Sequence, residues 1–360
     1  MENNTLENKF EYLIIGGGLA GFLFAHQLQK NNKSFLIFDP LKINTSSKVA
    51  AGMFNPISGK RMTVNWKINE LLAELKNTFA EIESLLKINL LRFEPTHQAF
   101  GNNKEANDFW SRMENGAFKE FISETETCEP YLNAPNGCFE VIQSGWVETR
   151  SYIEAYGQYL VGMNLLRKEQ LNYTGLVQTE NAWQYENNIF EKVVCCEGYQ
   201  ALQNPHFNWL PFKLSKGQIL LIHCPDLNTE KIVKKGVYLV HQGNHYYKVG
   251  ATYEWDDLDE ICNEKGKIFL LEKLKNMLTI PFEVVDQFAG IRPTTRDRRA
   301  ILGAHPKFTN LFVFNGLGTK GVLQAPFLAK HLYDHIENGI LLDSEVDIMR
   351  FPLFYSNSQR

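Results

Sequence analysis

Residues 10–39 read FEYLIIGGGLAGFLFAHQLQKNNKSFLIFD, and the fold is decided there. The run 10–15 is apolar, with polar residues before it and glycines after it. Such a run fits a strand covered on both faces, as in a parallel sheet. Residues 19–29 have helical character, Asn31-Asn32-Lys33 supplies a turn, and 34–38 reads as a second buried strand ending at Asp39-Pro40. The pattern is a β-α-β unit. Inside it, Gly16-Gly17-Gly18-Leu19-Ala20-Gly21 is a GxGxxG. Gly16 permits the tight strand-to-helix turn, Gly18 lets the backbone approach a pyrophosphate, and Gly21 lets helix and strand pack closely. The pyrophosphate would sit on the free N–H groups of the helix N-terminus. Asp39 lies 18 positions beyond Gly21, where a carboxylate suits ribose hydroxyls.

A dinucleotide is therefore expected, NAD or FAD, since a carboxylate at Asp39 disfavours a 2′-phosphate. The far end of the chain bears on the choice. Residues 311–314 (LFVF) read as a buried strand running into Gly316-Leu317-Gly318-Thr319-Lys320-Gly321 and a helix to about 337. A second glycine junction of this kind can place N–H groups and a helix dipole against negative charge on a reduced flavin. Between the two ends, residues 68–86 keep one helical face apolar. Residues 39–64 are too long for an ordinary connection and read as functional. Residues 90–145 read as mixed short strands with an Asn-rich loop (GNNKEAND). Residues 189–196 read as a strand, 217–252 as an antiparallel sheet, and 261–278 as a helix.

The chain has 360 residues, 44% of them hydrophobic, and a net charge of −4. That is globular composition, long enough for two lobes, and without the basic footprint of a dedicated nucleic-acid binder. Lys231, Lys234 and Lys235, and Arg296, Arg298 and Arg299, are read as solvated faces or internal ion pairs. The polar start MENNTLENK lacks the apolar core of a signal peptide and no run is long enough to span a membrane, so the cytoplasm is expected. The six cysteines form no CxxC and no zinc spacing. They are read as reduced and mostly buried, and no metal site is expected.

Five blocks carry a resemblance: YLIIGGGLAGFLFAHQL with Asp39, TSSKVAAGMFNP, KGQILL, GVYLVHQGNHYYKVGATYEWDD, and FAGIRPTTRDRRAILGAHPKFTNLFVFNGLGTKGVLQAPFLAKHL. In this order they resemble the FAD-dependent D-amino-acid oxidase superfamily, in particular its glycine-oxidase and tRNA-modifying branches. The resemblance implies an α/β (mixed α+β) fold in which a Rossmann-like FAD-binding lobe (10–82, 146–214 and 288–342) is interleaved with an antiparallel-sheet substrate lobe (83–145 and 215–287), followed by a tail (343–360). It implies noncovalent FAD. Gly16, Gly18, Leu19, Ala20 and Gly21 would meet the pyrophosphate, and Asp39 with Pro40 the adenosine ribose. Ser46, Ser47, Ala51, Gly52 and Met53 would run along the ribityl chain and flavin. Leu171 would stand as a strand residue whose backbone pairs with adenine. Gly198 would form a second cofactor-proximal turn, and Gly318, Thr319, Lys320 and Gly321 the turn at the pyrimidine edge.

Arg292 matches the arginine that pairs with a substrate carboxylate, and Tyr238 a tyrosine of the substrate pocket. Independently of the resemblance, a guanidinium fork fits a carboxylate, and Pro293 stiffens the chain beside it. The competing reading pairs Arg292 with Asp286 or Asp297 and leaves Tyr238 as a core aromatic. The implied reaction is oxidation of the C–N bond of a small carboxylate-bearing amine by hydride transfer to flavin N5, with oxygen or another acceptor taking the electrons. The alternative is removal of a carboxymethyl group from a wobble uridine of tRNA, which the acidic net charge disfavours.

Overall fold

The computed structural model describes residues 8–58, 62–114, 116, 118–123 and 128–358. Most of the polar start (1–7) and Gly59-Lys60-Arg61 of the long loop lie outside the described residues. In chain order, β1 (Asn8–Ile15), α1 (Leu19–Lys30) and β2 (Phe35–Phe38) form the expected β-α-β unit. The short α2 (Ser46–Val49) and the long α3 (Ile68–Leu86) follow, then β3 (Thr96–Ala99), β4 (Cys138–Val141), α4 (Thr149–Gly162) and β5 (Asn188–Cys195). Next come β6 (Ser215–His223), β7 (Ile232–Lys235), β8 (Val237–His241), β9 (Tyr246–Gly250), α5 (Glu264–Met277) and β10 (Glu283–Arg292). β11 (Leu311–Asn315) and α6 (Gly321–Asn338) close the first sheet.

That sheet has the parallel core order β2-β1-β5-β11, with Ile15 opposite both Phe38 and Cys195, and Cys195 opposite Val313. Alternate residues of β1 enter different cores. Tyr12 and Ile14 pack with Phe22 of α1, Phe79 of α3 and Leu328 of α6, whereas Leu13 and Ile15 pack with Trp183, Phe190 and Phe207. Burial on both faces is why β1 and β2 read as unbroken apolar runs. Helix α3 has the predicted bounds because Leu71, Leu75, Phe79 and Ile82 form one fully buried stripe.

The second sheet runs β10-β6-β9-β8-β7-β3-β4, with residues 122–123 at the edge. It is antiparallel except for the parallel pair β7–β3. One face carries Leu220, Ile222, Val233, Leu239 and Val249 onto Leu270, Leu274 and Met277 of α5. The opposite face borders a cleft shared with the parallel sheet.

Three local expectations change. The Asn-rich stretch is not a loop: Asn103–Glu114 is a helix, because Asn102 Oδ1 accepts the Glu105 N–H at 2.9 Å and Ala106, Phe109 and Met113 share a buried face. The 261–278 helix starts at Glu264, where Asn263 caps it by accepting from the Gly266 N–H at 2.8 Å. Cys128 and Cys138 are not reduced. The chain doubles back between them until their Cα atoms lie 5.8 Å apart, within bridging range, and they form a disulfide. His97 Nε2 lies 3.1 Å from Cys138 Sγ, so these three side chains also cluster as metal-ligand types.

A Cβ at Gly21 would lie 1.9 Å from the Gly16 carbonyl oxygen. Gly21→Ala is therefore expected to destabilise the chain by about 1–3 kcal/mol, read by denaturant unfolding. Unchanged stability would show that this helix–strand contact is looser than described.

Candidate active site

The cleft has a volume of about 800 Å³. Of the residues expected at the cofactor and substrate, Gly16, Gly18, Leu19, Ala20, Asp39, Pro40, Ser46, Ser47, Ala51, Gly52, Met53, Gly198, Gly318, Thr319, Lys320, Gly321, Tyr238 and Arg292 all line it. Two do not. Gly21 lies behind the wall as the packing glycine, and Leu171 sits in a loop rather than a strand, with its side chain in the second core. Its neighbour Gln170 lines the cleft instead.

On the nucleotide side, Gly16 adopts a φ of +106°, and a Cβ there would meet the Cys196 carbonyl at 2.5 Å. Asp39 is held by two backbone donors, the N–H of Gly17 and that of Leu41, each at 2.6 Å. Burial pushes its carboxyl up and these bonds pull it back. The Leu19 N–H donates to Ser47 Oγ at 3.1 Å, tying α2 to the start of α1. The N-termini of α1 and α6 both open on the cleft, and neither carries an acidic residue in its first turn. Above Gly198 nothing stands within 4 Å of a Cβ position, and at Gly318 the nearest atom is Thr294 Oγ1 at 3.6 Å. That hydroxyl is buried without a partner among the described residues. Bare backbone, helix dipoles and an unsatisfied hydroxyl facing one cleft fit an anionic dinucleotide.

On the sheet side, two glycines make a shallow floor. The Arg292 guanidinium lies over Gly217, where a Cβ would meet Nη2 at 2.0 Å, and the Tyr238 ring lies over Gly250, where a Cβ would meet its hydroxyl at 2.6 Å. Arg292 Nη1 donates to the carbonyls of Thr252 (3.2 Å) and Lys216 (3.4 Å), and the guanidinium carbon stands 4.6 Å from the Tyr253 ring centre. Neither Asp286 nor Asp297 neutralises it: Asp297 pairs with Arg350 at 2.9 Å, and Asp286 accepts the Gln287 N–H. Arg292 has no ion pair among the described residues. Burial pushes the Tyr238 phenol up to about 12, against the field of Arg292. It stays protonated and able to donate. Tyr253 stacks on Trp255 at the mouth, and both rings are half exposed.

Several functional positions were not read from the sequence. Lys248 Nζ donates to the Ala50 carbonyl at 3.1 Å and fixes the loop that leads to Met53, and burial lowers it to about 8. Lys216 is buried and holds Asp257 (2.8 Å) and Asp259 (2.5 Å), anchoring the segment after Trp255. Glu197 lines the cleft, and burial pushes its carboxyl up to about 7, opposed by hydrogen bonds from Asn204 and Tyr173. Lys231 pairs with Glu140 and Arg299 with Glu345, as expected of internal or surface pairs. Lys234 is partly exposed, has no ion pair among the described residues, and lines the cleft.

A cleft of this composition between a parallel sheet and an antiparallel sheet fits a dinucleotide-binding protein. Residues 11–335 match the family model "DAO: FAD dependent oxidoreductase". The chain belongs to that family, whose enzymes use FAD. It is 22% identical over 356 residues to glycine oxidase of Geobacillus kaustophilus, covering 92% of this chain and 94% of that protein. The crystal structure of glycine oxidase from that organism superposes with a TM-score of 0.75 at 22% identity, covering 96% and 98% of the two chains. The iminodiacetate oxidase structure from Chelativorans sp. BNC1 gives 0.75 at 18% identity, covering 93% and 98%. The chain is also 22% identical to the tRNA 5-methylaminomethyl-2-thiouridine biosynthesis bifunctional protein MnmC of Legionella pneumophila, covering 94% of this chain and 55% of that protein. Among the described residues no helix is long and apolar enough to cross a membrane.

The raised Glu197 carboxyl has a stability consequence. Its stabilising protonated form is fully present below the ordinary value of 4.5 and is lost as pH rises through about 7. Glu197→Gln is therefore expected to gain stability over the unaltered chain between those limits, by on the order of 3 kcal/mol at pH 8 and nothing near pH 4. Unfolding of both flavin-free chains across pH reads this, and a pH-independent difference would contradict it.

Proposed function

We propose that this chain oxidises the C–N bond of a small amino acid or an N-substituted glycine, held by its carboxylate on Arg292. The observation that carries the reading is the Arg292 guanidinium, seated over Gly217 in the cleft wall with no acidic partner among the described residues. A carboxylate is the planar anion that completes such a fork. The protonated Tyr238 phenol shares the floor and can donate a second hydrogen bond. Glycine oxidase and iminodiacetate oxidase, to which the chain is similar, are named for substrates that carry a carboxylate beside an amine, which supports the choice.

In this proposal α1 and Asp39 hold the pyrophosphate and ribose of FAD, residues 46–53 run along its ribityl chain and ring, and α6 faces its pyrimidine edge. The lobes take the boundaries given above. FAD when bound supplies the acceptor for a hydride from the substrate carbon, and the resulting imine is hydrolysed by water. Arg292 and Tyr238 orient the substrate, Lys248 and Lys216 fix the loops on either side, and the Tyr253–Trp255 stack shields the mouth from water. Among the described residues no histidine lines the cleft. Glu197, the raised carboxyl of the cleft, is engaged by Asn204 and Tyr173, so in this proposal the amine enters deprotonated, and kcat/KM should rise with pH through the range in which the free amine forms.

Anaerobic mixing of the flavin-loaded protein with glycine, sarcosine, iminodiacetate, proline and D-alanine tests the reading. Bleaching is expected with at least one of them and not with methylamine or dimethylamine. Arg292→Met should raise KM roughly 30-fold or more. Gly217→Ala, which places a Cβ under the guanidinium, should raise KM in the same direction. Bleaching only by tRNA carrying carboxymethylaminomethyl-uridine, or equal bleaching by amines without a carboxylate, would contradict the proposal.

A further inference from the structure

One transverse row crosses the cleft face of the antiparallel sheet. Ile219 stands opposite Gly250, Gly250 opposite Tyr238, Tyr238 opposite Lys234, and Lys234 beside Gln98. Directly paired residues share a face. Lys234 therefore stands on the same floor as Tyr238 and Arg292, and it lines the same cleft. It has no hydrogen bond or ion pair among the described residues. The carboxylate whose field reaches it, Glu105, is already engaged by the Gly101 N–H at 3.0 Å. An unpaired lysine in the wall of a cleft that already presents one guanidinium offers a partner to a second anion.

Resting on the function proposed above, we infer that Lys234 forms a second anion subsite, and that the preferred substrate carries an acid at both ends. Arg292 takes the carboxylate next to the reacting amine, and Lys234 takes a distal anion on the amine's substituent. The guanidinium lies over β6 and Lys234 springs from β7, three strand spacings away, or roughly 14 Å at the level of the strands. The distal acid is therefore carried on an elongated substituent, and the Tyr238 ring lies between the two cations. Lys234 is a specificity-determining residue in this scheme, not a catalytic one.

The test is ligand binding to the FAD-loaded protein, read as flavin difference spectra. The probes are α,ω-dicarboxylates from glutarate to sebacate, each against the monocarboxylate of equal length. At an optimal length the dicarboxylate should bind about tenfold tighter or more. In Lys234→Gln that ratio should fall to near unity, and Lys234→Arg should retain it. The same series with an ω-phosphonate end tells a phosphate-bearing substrate from a dicarboxylic one, and either preference supports the site if Lys234→Gln abolishes it. No dicarboxylate advantage at any length, or an advantage that survives in Lys234→Gln, overturns the inference. If Arg292→Met leaves monocarboxylate binding intact, the carboxylate reading of Arg292 has failed instead.

Discussion

The Arg292 guanidinium sits in the cleft wall with no acid beside it among the described residues, so neutral groups around it have to hold it. Two backbone carbonyls and the face of Tyr253 do so on one side. This arrangement depends on Gly217, since any side chain there would occupy the guanidinium's place. It depends equally on β6 lying between β10 and β9, which brings Arg292 over a neighbouring strand and places Thr252 within reach. Lys216 contributes twice: its carbonyl receives Arg292, while its ammonium on the opposite face ties down Asp257 and Asp259. The cation at the centre of the cleft is thus a product of the whole sheet.

The two sheets divide the work according to how their faces are covered. The parallel sheet is buried on both sides, so only its strand ends and the helix N-termini beyond them reach a ligand. That geometry suits a phosphate, which needs backbone N–H groups rather than side chains. The antiparallel sheet covers one face with α5 and leaves part of the other open to the cleft. Its side chains can then stand at every second position, which suits reading the shape and charge of a small substrate.

The β-α-β unit was legible because each glycine answers a local steric demand: a Cβ at Gly16 or Gly21 would collide with backbone. Helix α3 was legible from the spacing of its apolar residues. Arg292 was legible as a candidate, but only the sheet shows that its two nearest rivals for partnership, Asp286 and Asp297, are engaged elsewhere. The Cys128–Cys138 disulfide escaped because no spacing rule predicts where a loop doubles back. Glu197 escaped because its character comes from burial beside Asn204 and Tyr173, which are distant from the glycine motifs that drew attention. Lys234 was read within a basic run, yet its hairpin partner was open to inference. Gly236 between two strands sets Lys234 opposite Tyr238, and that register was the missed signal.

The central claim is that Arg292 is kept without an acidic partner in order to receive a carboxylate. Titration of the FAD-loaded protein with glycolate, a carboxylate with no amine to oxidise, tests it without turnover. Flavin difference spectra should show saturable binding that weakens roughly 30-fold or more in Arg292→Met, with acetamide failing to compete. Equal glycolate affinity in the unaltered chain and in Arg292→Met would contradict the account.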